Sequence, residues 1–341
     1  MLGLAQQILN DFFLKAVTFS GFEGYDFGTN LLTYAIIVPI AALLGGSFIV
    51  FTRERLRALS LKWRILLEIL LFAALVFVLT IGGSVVYNSI YLQTFDLDER
   101  VLAEVQKTIF SYGMLYNVFY WTFIGGFTVL IFQVIEYYGQ QKFRKTFSGK
   151  YYRPIVESRI FLFLDLKNST RLAEQWGHQV WFDFINMFIK DIADPIVDRK
   201  GEIYQYVGDE IVISWSQADG FEDNNCVNCF FDIERKIRGR EQIYRTRFHA
   251  VPEFRASIHH GEVTAGEIGL YRKDIIYTGD VLNTAKRIQG YCDALGCTLL
   301  VSEATASKLD TSAFEILQRT EVELKGKENK IKVLSLQPRV V

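Results

Sequence analysis

The stretch Phe161-Leu-Phe-Leu-Asp165-Leu-Lys-Asn-Ser-Thr170 decides the fold of the second half of the chain. It is an apolar strand that ends in a carboxylate and runs into Asn-Ser-Thr, residue types that begin helices. Magnesium prefers carboxylate ligands, and the free N–H groups of a helix start suit phosphate. A second stretch, Glu202-Ile-Tyr-Gln-Tyr-Val-Gly208-Asp209-Glu-Ile-Val-Ile-Ser-Trp215, predicts a hairpin with Gly208 in the turn and Asp209 at its tip. Two aspartates placed in this way predict a paired-metal site for nucleotide chemistry.

The composition divides the 341-residue chain near residue 140. The first part contains three uncharged apolar runs, Phe27 to Thr52, Ile69 to Phe95 and Thr108 to Ile135. Each is longer than the roughly 20 residues with which a helix crosses about 30 Å of hydrocarbon. We therefore predict a three-span transmembrane domain over residues 27–136, in contact with the lipid bilayer.

The charges of the connecting loops predict the orientation of these spans. Five basic residues lie between the first two runs, whereas the loop between the second and third is mainly acidic. Because basic loops stay in the cytoplasm, the N-terminus should lie outside the inner (plasma) membrane, and the chain beyond the third span should lie in the cytoplasm. Residues 1–26 include an amphipathic helix, which either lies at the membrane interface or packs on the spans.

Other features narrow the function classes. A formal net charge of −1 without a basic, aromatic-rich array gives no indication of nucleic-acid binding. All four cysteines fall in the predicted cytosolic part, where reduced thiols are expected; Cys226 and Cys229 have metal-ligand spacing, which leaves a zinc site as the alternative.

The apolar runs lack the ionisable residues of a transport pathway, and the external segments are too short for a folded sensor domain. Any stimulus should act within the bilayer or through an unknown membrane regulator.

The second half alternates strands and helices. A polar, basic connector over residues 137–156 is expected to leave the third span as a helix and to break before Pro154. Beyond it, the periodicity predicts a helix over Thr170–Arg199, two strands either side of Gly261 and a helix over Val281–Ala294. The βαββαβ order of residues 157–341 predicts an α+β, ferredoxin-like domain, with an antiparallel sheet and helices on one face.

Five motifs in this half resemble the catalytic domain of class III nucleotidyl cyclases, in that family's order. They are Phe163-Leu-Asp165-Leu-Lys-Asn-Ser169-Thr170, Val207-Gly208-Asp209, His260-Gly-Glu-Val-Thr-Ala-Gly266-Glu-Ile-Gly269, Gly279-Asp-Val-Leu-Asn283-Thr-Ala-Lys-Arg287 and Leu324-Lys325-Gly326-Lys327. The resemblance covers a little over half of the chain. It implies an enzyme that forms a 3′,5′-cyclic nucleotide and pyrophosphate from a nucleoside triphosphate, and the three predicted spans would anchor this enzyme to the membrane.

The resemblance also implies roles for single residues. Asp165 and Asp209, with the backbone carbonyl of Leu166, would hold two divalent cations, Mg²⁺ or Mn²⁺. Asn283 would orient the ribose, and Arg287 would stabilise charge on the α-phosphate. The expected phosphate-binding residues are Asn168, Ser169, Thr170, Arg272 and Lys325, with Lys327 as the alternative to Lys325. In this family the aspartates and the Asn/Arg pair face each other across a head-to-tail interface, which implies a homodimer.

Two positions expected to read the base depart from the family's pattern. Adenylate cyclases commonly have lysine, and guanylate cyclases glutamate, where this chain has Gln205; Ile276 stands where aspartate, threonine or cysteine is usual. An amide both donates and accepts hydrogen bonds, which makes Gln205 compatible with either purine. ATP is the expected substrate, with GTP or another nucleotide as the alternative. A non-catalytic nucleotide-binding module is the other reading.

Overall fold

The structure is a computed structural model that describes residues 27–56, 59–94, 98–271, 273–324, 326–327 and 330–339. The chain divides into two compact units between Gln140 and Gln141. The predicted helix within residues 1–26 and the predicted site residues Arg272 and Lys325 lie outside the described residues.

The first unit is helical. Its helices are α1 (Phe27–Arg55), α2 (Leu61–Tyr91), α3 (Glu99–Ile109) and α4 (Tyr112–Tyr138). Three of them, α1, α2 and α4, are long and apolar enough to cross a membrane. Gly125 of α4 allows this helix to pack closely on α2, because a Cβ at position 125 would overlap the ring of Phe72.

The helix bounds differ from the apolar runs at two places. Helix α2 begins eight residues before Ile69, so it is longer than the apolar run and includes Arg64 and Glu68. These side chains are paired inside the unit: Arg64 contacts Glu136 at 3.0 Å, and Glu68 accepts from Gln133 at 3.2 Å. The acidic loop also contains a helix, α3, because the Asp98 carboxylate caps its first N–H groups.

Helix α5 (Gln140–Phe147) lies at the start of the second unit, all but its first residue within it, and the unit contains an eight-stranded mixed sheet. The strands are β1 (Ile155–Leu166), β2 (Glu202–Val207), β3 (Glu210–Ser216), β4 (Phe254–Ile268), β5 (Asp274–Thr278), β6 (Leu299–Ser302), β7 (Phe314–Val322) and β8 (Ile331–Pro338). Their order is β2-β3-β1-β4-β6-β8-β7, with β5 paired to β4. Strands β4 and β6 are parallel, because a helical crossover joins them; the other pairings described are antiparallel.

The remaining helices are α6 (Ser169–Trp176), α7 (His178–Asp198), α8 (Gln217–Phe221), α9 (Asn225–Gly239), α10 (Glu241–Phe248), α11 (Asp280–Gln289) and α12 (Glu303–Ala306), with 3-10 turns at Glu222–Asn224 and Thr311–Ala313. The predicted α+β cyclase-type fold is confirmed. The expectation of helices on one face is wrong. Ile160, Leu162 and Leu164 pack with α7 and α9, whereas Phe161 and Phe163 pack with α11 on the opposite face. Strand β1 is apolar on both faces because both are covered.

Glycines explain three further differences. The helix predicted over Thr170–Arg199 is two helices, since Gly177 has a φ of 79° between them. The two strands expected either side of Gly261 are one strand, β4, and Gly261 marks the point where α11 packs closely on it. Helix α11 ends at Gln289, before Gly290, instead of continuing to Ala294.

Candidate active site

The two predicted metal aspartates lie at the same end of the sheet. Asp165 is the penultimate residue of β1 and stands directly opposite Glu210, the first residue of β3. Asp209 immediately precedes Glu210 in the tight turn after β2, where Gly208 takes a φ of 67°. The period of two along β1 places Asp165 on the same face as Phe161 and Phe163, which is the face covered by α11.

The guanidinium group of Arg255, which the sequence did not predict to be part of the site, also lies at this end of the sheet. Arg255 stands opposite Asp165 in β4 and donates to its Oδ2 from Nε at 3.2 Å and from Nη2 at 2.9 Å. It also pairs with Asp293, in the turn after α11. The alternating pattern of β4 could have indicated its face, but the partner depends on the register between strands 90 residues apart.

The predicted phosphate loop joins β1 to α6. Asn168 has left-handed backbone angles, φ 58° and ψ 19°, and turns the chain into the helix that begins at Ser169. The first helical N–H groups, those of Ser169 and Thr170, have no partner within the helix, as at any helix start. The N–H of Lys167, just before this loop, donates to the carbonyl of Glu253 at 2.7 Å and is therefore not free to bind phosphate.

Helix α11 presents the predicted Asn/Arg pair to solvent. Asn283 and Arg287 are exposed on one side, while Thr284, Ala285 and Ile288 are buried on the other. The chain turn at Gly326 lies beside Arg287: a Cβ at position 326 would be 3.7 Å from its Nη1. The Arg287 side chain and Gly326 are therefore neighbours.

Two ion pairs fix α11 relative to the candidate site. Lys286 pairs with the buried carboxylate of Glu210, the residue after Asp209. Lys327, the alternative phosphate lysine, lies 2.5 Å from Asp280 at the start of the helix. The hydrogen bond from Lys327 lowers the pKa of the Asp280 carboxyl. Neither pair was predicted, because each joins segments that are distant in the sequence.

The two base-reading positions lie on β2 and β5, next to tyrosines that pack in the cluster on the face of the sheet that α11 covers. Gln205 is exposed on β2, and Ile276 is partly buried on β5, opposite Gly266. The residues next to them are in contact: the rings of Tyr204 and Tyr277 lie 5.0 Å apart, and the Tyr204 hydroxyl accepts from the N–H of Tyr277 at 3.1 Å. This places Gln205 and Ile276 on neighbouring segments of the chain.

A buried charged cluster connects β1, β2 and β5. Arg159 is 2% exposed and bonds to Glu157 at 3.1 Å and to Glu202 at 3.3 Å, with its guanidinium 4.6 Å from the Tyr277 ring centre. Helix α5 joins the cluster because Lys145 pairs with Glu202. Burial and the charge of Arg159 lower the pKa of Lys145.

The donor set fits magnesium or manganese. These ions commonly take one or two carboxylates and complete their coordination with substrate phosphates and water. Asp165 and Asp209 supply such a pair at one strand end, beside the loop with free helix N–H groups. No group of three or more His, Cys, Asp or Glu residues that could hold a metal by itself occurs in the described part of the chain.

Comparison with known proteins shows the family of the second half of the chain. The family model described as the adenylate and guanylate cyclase catalytic domain matches residues 154–337, which is more than half of the chain. The chain belongs to this family of class III nucleotidyl cyclase domains.

Individual relatives match the same part. Adenylate cyclase 2 of Rhizobium meliloti (strain 1021) is 34% identical over 209 residues, which are 61% of this chain and 58% of that protein. The adenylate cyclase of Anabaena cylindrica is 25% identical over 188 residues, 52% of this chain and 36% of that protein. This chain thus spans less than two thirds of the length of either relative.

Solved structures of cyclases are also similar. The adenylyl cyclase CyaB from P. aeruginosa is 17% identical, with a TM-score of 0.49 over 55% of this chain and 97% of that one. The guanylyl cyclase Cya2 is 21% identical, with a TM-score of 0.48 over 53% of this chain and 92% of that one.

Proposed function

We propose that this protein is a membrane-anchored adenylate cyclase that converts ATP to 3′,5′-cyclic AMP and pyrophosphate. The observation that carries the proposal is the register of β1 and β3, which sets Asp165 opposite Glu210 and therefore beside Asp209. The helix start at Ser169 follows within the same loop. Two carboxylates next to a phosphate-binding loop are what an intramolecular phosphoryl transfer from a triphosphate requires.

The reaction joins the ribose 3′-oxygen to the α-phosphorus, while the bond from that phosphorus to the pyrophosphate oxygen breaks. Divalent cations bound at Asp165 and Asp209 would acidify the 3′-hydroxyl and neutralise the triphosphate. The N–H groups of Ser169 and Thr170 would hold phosphate oxygens at the helix start. Arg255, whose guanidinium already lies at this end of the sheet, would add positive charge beside the triphosphate to that of the divalent cations.

Asn283 and Arg287 complete the chemistry in this proposal. Asn283 would hydrogen-bond the ribose and orient its 3′-hydroxyl toward the phosphorus. Arg287, one helical turn later, would stabilise the negative charge that develops on the α-phosphate, because a guanidinium offers a fixed fork of donors. Both side chains are exposed on α11 and are therefore accessible to a substrate bound mainly by another chain.

We propose that the active form is a homodimer in which each site combines the aspartates of one chain with Asn283 and Arg287 of the other. The exposed position of the Asn/Arg pair supports this arrangement. We place the catalytic unit on the cytoplasmic side of the plasma membrane, because the basic residues cluster between the first two spans and after the third.

The choice of ATP rests on the named relatives, both of which are adenylate cyclases. Guanylate cyclase activity is the second candidate, since the exposed amide of Gln205 can pair with the edge of either purine. Ile276 supplies an apolar surface and no hydrogen bond to discriminate between them.

The test is to purify the full chain, add manganese and each of the four nucleoside triphosphates separately, and identify the cyclic products by chromatography and mass spectrometry. We expect cyclic AMP from ATP, and at least a hundredfold less product from an Asp209→Asn variant. Cyclic GMP as the main product would establish the second candidate instead. No cyclic product from any triphosphate would refute catalysis.

A further inference from the structure

The turn that follows α11 holds two cysteines against each other. Cys297 donates its N–H to the carbonyl of Cys292 at 3.0 Å, and Gly296 donates to the carbonyl of Asp293 at 3.2 Å, with a Gly296 φ of 64°. This pair of hydrogen bonds is the Schellman motif, which frequently brings together the side chains at the positions of Cys292 and Cys297. Two cysteines five residues apart thus share one tight turn.

The surroundings of the two sulfur atoms differ. Cys292 is buried, and its Sγ lies 3.4 Å from the carbonyl of Ala256 in β4. Cys297 is partly exposed, and its Sγ lies 3.7 Å from the carbonyl of Cys292. An accessible sulfur next to a buried one is the arrangement of an attacking thiol and a resolving thiol.

The electrostatics favour the thiolate at the accessible position. Interaction with the Cys292 side chain, helped by the Ser335 hydroxyl and the charge of Lys167, lowers the pKa of Cys297 to about 7. The hydrogen bond to Cys297 and burial raise the pKa of Cys292. A thiol that ionises near neutral pH is the form that reacts with peroxides.

We infer that Cys292 and Cys297 are a redox modification site, which forms a reversible intramolecular disulfide when the protein meets a hydroperoxide. The Cys297 thiolate attacks the peroxide oxygen, the O–O bond breaks, and the sulfur becomes a sulfenic acid. The Cys292 sulfur then displaces the sulfenic oxygen as water. Overall, two thiols lose two electrons and two protons, and hydrogen peroxide is reduced to two molecules of water.

The location gives the modification a route to the rest of the molecule. Asp293, between the two cysteines, pairs with Arg255, which in turn holds the Asp165 carboxylate. Lys167, at the start of the loop after β1, lies 4.0 Å from the same Asp293. The inference goes beyond the proposed cyclase activity, and its test does not depend on that activity.

The chain provides its own control. Cys226 and Cys229 are also close in sequence, but both are fully buried in α9, and burial raises the pKa of each, to about 12 for Cys226. These thiols should stay reduced under conditions that oxidise Cys297. Trypsin separates the two pairs, because Ile288–Lys308 contains only the first pair and Gly201–Arg235 only the second.

The experiment treats the purified full-length protein with hydrogen peroxide near pH 7, removes the peroxide, alkylates with iodoacetamide under denaturing conditions and analyses the tryptic peptides. We expect the Ile288–Lys308 peptide without alkyl groups and lighter than its reduced, unalkylated form by two hydrogen atoms, with dithiothreitol restoring two alkyl groups. The Gly201–Arg235 peptide should remain doubly alkylated. A Cys292→Ser variant should instead leave a sulfenic acid on Cys297 that dimedone traps.

Two results would overturn the inference. One is a fully alkylated Ile288–Lys308 peptide from folded wild-type protein after peroxide treatment. The other is oxidation of the two cysteine pairs at equal rates, which would indicate unfolding instead of a specific site. Both results come from the wild-type chain, so the conclusion does not depend on the folding of a variant.

Discussion

The contact between β4 and α11 at Gly261 leads to the prediction we develop furthest. A methyl group at this position would lie 2.7 Å from Cγ2 of Val281, the second residue of α11. Val281 is β-branched and helical, so its side chain has essentially one rotamer and cannot turn away. In a Gly261→Ala variant the helix itself must therefore move.

The size of the movement follows from the contact distance. An ordinary carbon–carbon contact is about 3.5 Å long, so the start of α11 must shift by roughly 0.8 Å. Overpacking of this kind costs about 1–3 kcal/mol of unfolding free energy. Because Asn283 lies only two residues beyond Val281, the same shift misplaces a group proposed to position the substrate. A displacement near 1 Å can reduce a rate by about 100-fold, and we expect a ten- to hundredfold loss of cyclase activity.

The assays are cyclic nucleotide formation at saturating ATP and urea unfolding followed by tryptophan fluorescence, both on the full chain in detergent. Gly239→Ala is the matched control, since nothing lies within 4 Å of a Cβ there and we expect no loss of activity. Adding Val281→Ala to Gly261→Ala removes the clashing methyl group and should recover most of the activity. A Gly261→Ala protein that retains wild-type activity and stability would refute the close packing of α11 on β4.

Three further predictions concern charged and titratable groups. Lys286→Met should cost about 1–3 kcal/mol of unfolding free energy, because it leaves the buried Glu210 carboxylate without the ammonium group that pairs with it. Adding Glu210→Gln to the same chain should recover part of this loss. If urea unfolding shows that the losses from the two substitutions simply add, the pairing is contradicted. Burial, aided by the charges of His260 and Lys327, lowers the pKa of His259 to about 4 from 6.5, so the unfolded state takes up the proton first and stability should fall between pH 6.5 and 4. His259→Gln should remove up to about 1.4 kcal/mol per pH unit of that slope, and an unchanged pH profile of unfolding would show that His259 does not contribute. Chelation of divalent ions should abolish cyclase activity, and manganese should raise the melting temperature of wild type but not of Asp209→Asn; equal shifts would place the metal elsewhere.

The sequence predicted the parts of the site that local patterns encode. The apolar run before Asp165 specifies a strand and its end, and Gly208 specifies a turn, so the sequence predicts Asp165 at a strand end and Asp209 at a hairpin tip. Asn283 and Arg287 were predicted on one face of a helix from their spacing of four. The structure places each of these residues on the expected kind of element.

Contacts between distant segments were not predictable in the same way. Arg255 meets Asp165, Lys286 meets Glu210 and Arg159 meets Glu202 only because the strands and α11 pack in one register. The helices on both faces of the sheet were missed for a similar reason. A strand with apolar residues at every position is consistent with burial on two faces, but its sequence alone does not say which helix covers each. Gly261 was read as a break between strands, although its role is to admit α11.

The central claim is that Asp165 and Asp209 of one chain work with Asn283 and Arg287 of another, and one measurement tests it directly. Asp165→Ala and Asn283→Ala chains are co-expressed in equal amounts, and cyclic AMP formation is compared with each variant alone. Random pairing makes half of the dimers mixed, and each mixed dimer has one intact site of two, so we expect about a quarter of wild-type activity. Activity no higher than that of either variant alone would contradict the shared site.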